Sequence, residues 1–262
     1  MPDLTGKMGY LESEGVSEQV FLGQYSKTKY PRPSVTVDLV IFTIAEGNLK
    51  VLLIERKGHP FKGHWALPGG FVDVGDAFEN QGEDLEEAAV RELGEETGLD
   101  QTLLKQHRVH LEQLYTFGRA YRDPRTRVIG VAYFALVSPD LLDSIRAGED
   151  AEKAQWLSVD TKVPNLAFDH DQILAMALER VRGKLNYAPL ALSMVPAQFT
   201  LSELREVYEV VQGKGFDASN FRRRFKRMQT DGVLEELQEL QELRVPGKLG
   251  GRPAKVYRFC RD

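Results

Sequence analysis

The sequence predicts a mixed α/β fold in two parts, a β-rich body followed by a small basic module of two helices and a ribbon. Three observations carry this. Short runs of β-branched and large apolar residues recur through the first two thirds, separated by turn residues. One strongly helical, carboxylate-rich segment lies among them. The charge then reverses: from Phe199 to Asp262 there are 13 Lys and Arg against 10 Asp and Glu, or +3, whereas the whole chain carries −5, leaving −8 on the rest. A basic tail on an acidic body suggests a module that faces nucleic acid, joined to one that does something else.

Residues 1–25 read as a loosely held leader. Pro31 and Pro33 then force an extended entry. SVTVDLVIFTI (34–44) and LKVLLIER (49–56) form a hairpin about the turn AEGN. HWALPGGFVD reads as a strand interrupted by Gly69 and Gly70. DLEEAAVRELGEETG is a helix, capped by Asp84 with Glu87 at the reciprocal position of a capping box, and closed by Gly98. VHLEQLYTFG and RVIGVAYFALV are two further strands turning at RDPRT, and EKAQWLSV is a last short one. From Asp169 to about Leu192 the pattern is helical, as for a connector, and its apolar stripe is the expected face of a homodimer. TLSE (200–203) is a second capping box and opens a helix through Val211. Gly213 and Gly215 end that helix, and Asp217 or Ser219 starts a very basic helix through Met228. The chain closes on GGRPAKVYRF, a turn leading into alternating apolar and polar residues. The domains expected are therefore 26–165, a connector at 166–198, and 199–262.

Several classes are excluded. The single cysteine, Cys260, permits no internal disulfide and has no metal-ligand spacing, which suits a reducing, cytoplasmic setting. The polar, acidic start lacks the basic and apolar regions of a signal peptide. The most apolar run is of strand length and contains Asp38, so no membrane span is expected.

Glu92, Glu95 and Glu96 lie at i, i+3 and i+4, on one face of their helix. Adjacent carboxylates repel unless a cation neutralises them, and oxygen ligands of this kind suit Mg²⁺ or Mn²⁺. Taken alone, the three also fit a solvated helix face; their context decides. GGFVD…EDLEEAAVRELGEETGL resembles the Nudix box, in which Gly, five residues, Glu and seven residues precede Arg-Glu-apolar-x-Glu-Glu-x-Gly-apolar. Glu83 stands eight before Arg91, and Arg91, Glu92, Leu93, Glu95, Glu96, Gly98 and Leu99 all match. The resemblance implies an α/β/α sandwich that holds nucleoside diphosphates linked to another moiety. It also implies metal on Glu92, Glu95 and Glu96, an Arg91 that orients the acidic cluster, and Glu83, Arg91 and Glu95 as catalytic residues. Arg56, Lys57, Arg125 and Arg127 are candidate phosphate partners by charge and loop position, beside Gly69 and Gly70. One departure is visible: twelve residues, not five, separate Gly70 from Glu83, an insert of about seven within VGDAFENQ. A longer loop costs little closure entropy, but a shift of about an ångström in Glu83 or the attacking water slows catalysis while sparing binding.

In NFRRRFKRM, Phe221 and Phe225 at i and i+4 form a core stripe, and cations surround them. This is the layout of a recognition helix, buried on one side and offered to phosphates and base edges on the other. Helix, turn, basic helix and ribbon together read as a winged helix. Asn220, Arg222, Arg223, Arg224, Lys226 and Arg227 are the candidate DNA contacts, with Arg252 and Lys255 from the wing. The two halves together resemble the Nudix-related transcriptional regulators of bacterial NAD metabolism, over nearly everything from residue 25 onward. KYPRPSVTVDLVIFTI, LYTFGRAYRDPRTRVIGVAYFALV, FDHDQILAMALERVRGKLNYAPLAL and FTLSELREVYEVV carry the likeness beyond the box. EELQELQELRVPG is longer and more acidic than that family leads one to expect. The resemblance implies a dimeric repressor on a palindromic DNA operator, released by ADP-ribose or a related nucleotide. The alternative is a Mg²⁺-dependent ADP-ribose pyrophosphatase, and the two roles can coexist.

Overall fold

The computed structural model describes Val20 and residues 31–75, 80–98, 101–144, 151–160, 166–237 and 255–260. The expected leader, apart from Val20, lies outside the described residues, as do Leu99, Arg252 and most of the acidic stretch before the ribbon. Ser34–Asp262 forms one compact unit.

Among the described residues the body is a seven-stranded mixed sheet built on β1 (Ser34–Ala45). β1 pairs antiparallel with β2 (Asn48–Arg56), the expected hairpin, and parallel with β6 (Val128–Leu136). β5 (His110–Phe117) lies at the edge beyond β6, and β7 (Ala151–Ser158) runs along β2. The stretch read as one interrupted strand is two. β3 (Trp65–Ala66) pairs with β2, whereas β4 (Gly69–Phe71) pairs with β1. The reason is steric: a Cβ on Gly69, at φ +144°, would lie 2.1 Å from the Val37 carbonyl oxygen, so only glycine lets the backbone cross to β1 there.

Alternation along β1 separates two cores. Val37, Leu39 and Ile41 face Ala88, Ala89 and Leu93 of α1 (Leu85–Thr97), with Leu104 of the unforeseen short helix α2 (Gln101–Gln106). Val40, Phe42 and Ile44 face the other way, onto α3 (His170–Lys184) and the C-terminal module. The result is an α/β/α sandwich. The boxes at both expected helix starts form as read. The Asp84 amide donates to Glu87 Oε2 at 2.9 Å, and the Glu203 amide donates to Thr200 Oγ1 at 3.2 Å. Gly98 ends α1 in the left-handed region at φ 72°.

The connector helix is shorter than its apolar pattern. It stops at Lys184, where the Asn186 side-chain amide donates to the Gly183 carbonyl and Pro189 lies ahead; only a 3-10 turn follows at Leu190–Ser193. Its stripe of Ile173, Leu174, Ala177 and Val181 is buried in the chain's own core, so that stripe is not available as a homodimer face.

The C-terminal module consists of β8 (Phe199–Thr200), α4 (Leu201–Gln212), α5 (Ala218–Thr230), β9 (Leu234–Leu237) and β10 (Val256–Phe259). The three strands form a sheet in the order β8-β10-β9, completing a winged helix. Among the described residues it has no core of its own. Phe199, Leu204, Tyr208, Phe221, Phe225 and Tyr257 belong to the same apolar cluster as β1 and α3. Phe225 is 4% exposed and meets the Tyr257 ring edge-on at 4.6 Å. Phe225→Ala therefore leaves a cavity where helix, ribbon and body meet. It should cost about 3–5 kcal/mol. Urea unfolding should show body and tail melting together, and a tail that melts alone would contradict a shared core.

Candidate functional site

A cleft of about 980 Å³ opens where β4, α1 and the β5–β6 loop converge. Arg56, Lys57, Gly69, Gly70, Arg91, Glu92, Glu95, Glu96 and Arg125 all line it. Arg127 does not; it is exposed, and its backbone carbonyl accepts from the Ser34 amide.

Arg91 is the hub. It donates to both oxygens of Glu83, at 2.7 and 3.0 Å, to Glu92 Oε1 at 2.8 Å, to Glu95 at 3.3 Å, and to the Phe71 carbonyl at 3.1 Å. The bond from Arg91 holds the Glu83 carboxyl below its ordinary range. Burial pushes Glu92 upward, against the pull of the same guanidinium. The glutamates hold Arg91 above the usual guanidinium value. The insert does not disturb this. The Asp73 amide donates to Glu83 Oε1 at 2.8 Å, and the Glu83 amide donates back to the Asp73 carbonyl at 3.1 Å. Those two bonds tie Asp73 to Glu83 at the base of the longer loop, residues 76–79 of which lie outside the described residues, and Glu83 stays on Arg91.

Glu92, Glu95 and Glu96 share the cleft wall, although among the described residues no three His, Cys, Asp or Glu are gathered as a ready metal site. The missing side chain at Gly70 makes room for the buried Glu92 carboxylate, since a Cβ there would stand 2.3 Å from Oε1. Three carboxylates beside a bare backbone fit a hard, oxygen-loving divalent cation that bridges to phosphate oxygens.

The opposite side holds residues that sequence reasoning missed. The Arg122 side chain is only 5% exposed and donates to Asp169 at 2.7 Å and to Asp38 at 3.1 Å. Burial opposes its charge, but Asp169 and Asp38 hold its pKa above the ordinary value. His170 Nδ1 accepts the Leu67 amide at 2.9 Å, which leaves Nε2 facing Asp38 at 3.6 Å. Phe168, at φ 56°, presents its ring to the cations, with Arg56 5.0 Å and Arg125 6.0 Å from its centroid. Arg125 also pairs with Asp123 at 2.7 Å. The one sequence signal was Asp38 inside an apolar strand: a buried carboxylate demands a partner.

On the winged helix, Asn220, Arg222, Arg223, Lys226 and Arg227 are exposed, and Arg223 donates to Asn220. Arg224 departs from the expectation. It turns inward, donating to the Leu185 carbonyl with its guanidinium 4.6 Å above the Tyr208 ring. Position 224 falls between Phe221 and Phe225 on the buried face, so its charge could not join the outer row. Lys255 is exposed but pairs with Glu236 of its own ribbon at 2.7 Å, an ion pair weak enough to exchange for a phosphate. Arg258 was not foreseen; it is exposed beside Glu235.

Burial lowers the His170 pKa below its ordinary value. The unfolded chain therefore takes up this proton first as pH falls through about 6.5. The stability that His170 contributes is complete above that pH and drains away below it. Thermal melts between about pH 7 and 5 should show that loss, and His170→Gln, which can still accept the Leu67 amide, should flatten part of the slope. An identical slope in both proteins would contradict the buried neutral imidazole.

A family model described as the NUDIX domain matches residues 33–177, and one described as the NrtR DNA-binding winged helix domain matches residues 191–259. The chain is 39% identical over 245 residues to the ADPR responsive transcriptional repressor NtrR of Acinetobacter baylyi, covering 93% of this chain and 89% of that protein. The crystal structure of Shewanella oneidensis NrtR complexed with a 27mer DNA superposes with a TM-score of 0.67 at 34% identity, over 86% of this chain and 93% of that one. The NUDIX domain of the same protein, complexed with ADP ribose, gives a TM-score of 0.51 at 34% identity, over 63% and 99%. The chain belongs to the family of Nudix-domain regulators that carry the NrtR DNA-binding winged helix.

Proposed function

We propose that the protein is a DNA-binding transcriptional repressor, acting on genes of NAD metabolism, whose Nudix cleft senses ADP-ribose or a related nucleotide and then releases the operator. The observation that carries this is the joining of two sites in one compact unit: a carboxylate and guanidinium cleft suited to a pyrophosphate, and an exposed basic helix suited to a duplex. The similarity to the ADPR responsive repressor supports the pairing.

Arg56, Lys57 and Arg125 meet the phosphates, beside the Gly69 and Gly70 backbone in the same cleft wall. Glu92, Glu95 and Glu96 would hold Mg²⁺ or Mn²⁺, which neutralises the pyrophosphate and makes a bound water more acidic. Arg91 holds the carboxylates together and Glu83 aligned. On the other module, Asn220 and Arg223 stand in the first two turns of α5, near its N-terminus, where base edges are read. Arg222, Lys226 and Arg227 serve the phosphates and set the salt dependence. A two-fold operator asks for a homodimer, which forms through a face other than the α3 stripe. Among the described residues no helix is long and apolar enough to cross a membrane, and the lone Cys260 suits a cytoplasmic site.

Release requires that the nucleotide bind the DNA-free arrangement more tightly, since equal affinity shifts nothing. With a duplex selected from random DNA by the protein itself, ADP-ribose should weaken binding about 5- to 150-fold. Indifference to ADP-ribose sinks the sensor reading. A second reading, ADP-ribose pyrophosphatase activity, is favoured by Glu83 keeping its place on Arg91 despite the insert. Phosphorus NMR of ADP-ribose with Mg²⁺ separates the two. Phosphomonoester signals that grow with wild type and not with Glu95→Gln mean that the site cuts; diphosphate signals that shift but persist mean that it only binds.

A further inference from the structure

α3 touches the cleft at one end and the recognition helix at the other. It begins where Asp169 accepts from Arg122 and His170 accepts from the Leu67 amide, immediately after Phe168 in the cleft wall. Its 15 residues span about 22 Å. At its far end, the Val181, Gly183 and Lys184 carbonyls accept from the amides of residues 185–188, and the winged helix reaches two others, those of Arg182 and Leu185. Gln212 of α4 donates to the Arg182 carbonyl at 2.7 Å, and Arg224 of α5 donates to the Leu185 carbonyl. Arg182 in turn donates to the Val211 carbonyl at 2.9 Å. Leu185 is fully buried, so its carbonyl has no access to bulk water.

We propose that Arg224, although it belongs to the basic run, is not a DNA contact but a positioning residue. It clamps the recognition helix to the end of α3, so that occupancy of the cleft sets the position of that helix. The differential contact lies at the start of α3. Arg56 and Arg125 stand over the Phe168 ring, and a bound anionic ligand draws on both guanidinia. Phe168 holds a backbone conformation that bulky residues rarely adopt, and it leads directly into α3. A shift there is carried by a packed helix whose buried face is fixed in the shared core. Guanidinium donation to C-terminal carbonyls, which carry the negative end of the helix dipole, holds the other end.

The inference rests on the proposed ADP-ribose site. It is tested by hydrogen–deuterium exchange of the full chain with and without ADP-ribose, using wild type, Arg224→Met, Arg224→Lys and Gln212→Ala. Methionine keeps an apolar stem over Tyr208 and loses the donor. Wild type should change exchange both around 166–170 and across 218–230. Arg224→Met should keep the first and lose most of the second, and Arg224→Lys should recover part of it. Should Arg224→Met fail to fold, Gln212→Ala, which removes only the bond to the Arg182 carbonyl, should still weaken the distant response. Salt dependence of binding to a random duplex gives a second readout. The slope should stay unchanged in Arg224→Met, whereas loss of a phosphate contact lowers it by about 0.9. A lowered slope, or a distant response that persists in Arg224→Met and Gln212→Ala, overturns the proposal. A protected cleft with 218–230 unaffected in wild type overturns it while leaving the ligand site standing. No change in the cleft removes the ADP-ribose reading and this inference together.

Discussion

A buried cation holds the two sides of the cleft together. Arg122 lies in the β5–β6 loop, Asp38 on the central strand and Asp169 at the start of α3, and each carboxylate is within 3.1 Å of the guanidinium. The three are brought from positions 84 and 47 residues apart in sequence. The packing leaves no slack: a Cβ at Gly130 would stand 2.5 Å from Arg122 and 2.6 Å from Asp38. Buried ion pairs add little net stability, because desolvation offsets their attraction. Losing one partner is another matter, and strands a charge at about 3–5 kcal/mol. The triad thus fixes one geometry for the sheet, the loop and the helix, and everything at the far end of α3 inherits it.

Arg91 plays the corresponding part on the other wall. Four carboxylates in the box would repel one another, and one guanidinium bonded to three of them keeps the wall assembled before any cation arrives. The extra loop residues are tolerated because Asp73 and Glu83 close their base. Loop length therefore matters less than where the loop is pinned, which explains how a chain can vary that segment and keep Glu83 in place.

Much of this was legible in the sequence. Local spacing carried it: i, i+3 and i+4 carboxylates, two capping boxes, alternation in β1 and the Phe221–Phe225 stripe are all properties of single elements. Long-range partners were not legible. Nothing in the neighbourhood of Arg122 announces Asp38 or Asp169, and nothing near His170 announces the Leu67 amide. The fate of the α3 stripe was hidden for the same reason, because an apolar face does not say whether its own chain or a second copy will cover it. Arg224 is a different case. Phe221, Arg224, Phe225 and Met228 share one face by period alone, so its inward turn was readable, but grouping the cations by charge concealed it.

The shared core makes the two modules one mechanical object, and linkage then demands reciprocity: if the nucleotide weakens DNA binding, DNA must weaken nucleotide binding by the same factor. Calorimetric titration of ADP-ribose into the protein, alone and saturated with its selected duplex, measures this directly. ADP-ribose should bind more weakly in the presence of DNA, by the factor seen when the experiment is run in the other direction. Equal affinity with and without DNA would contradict it.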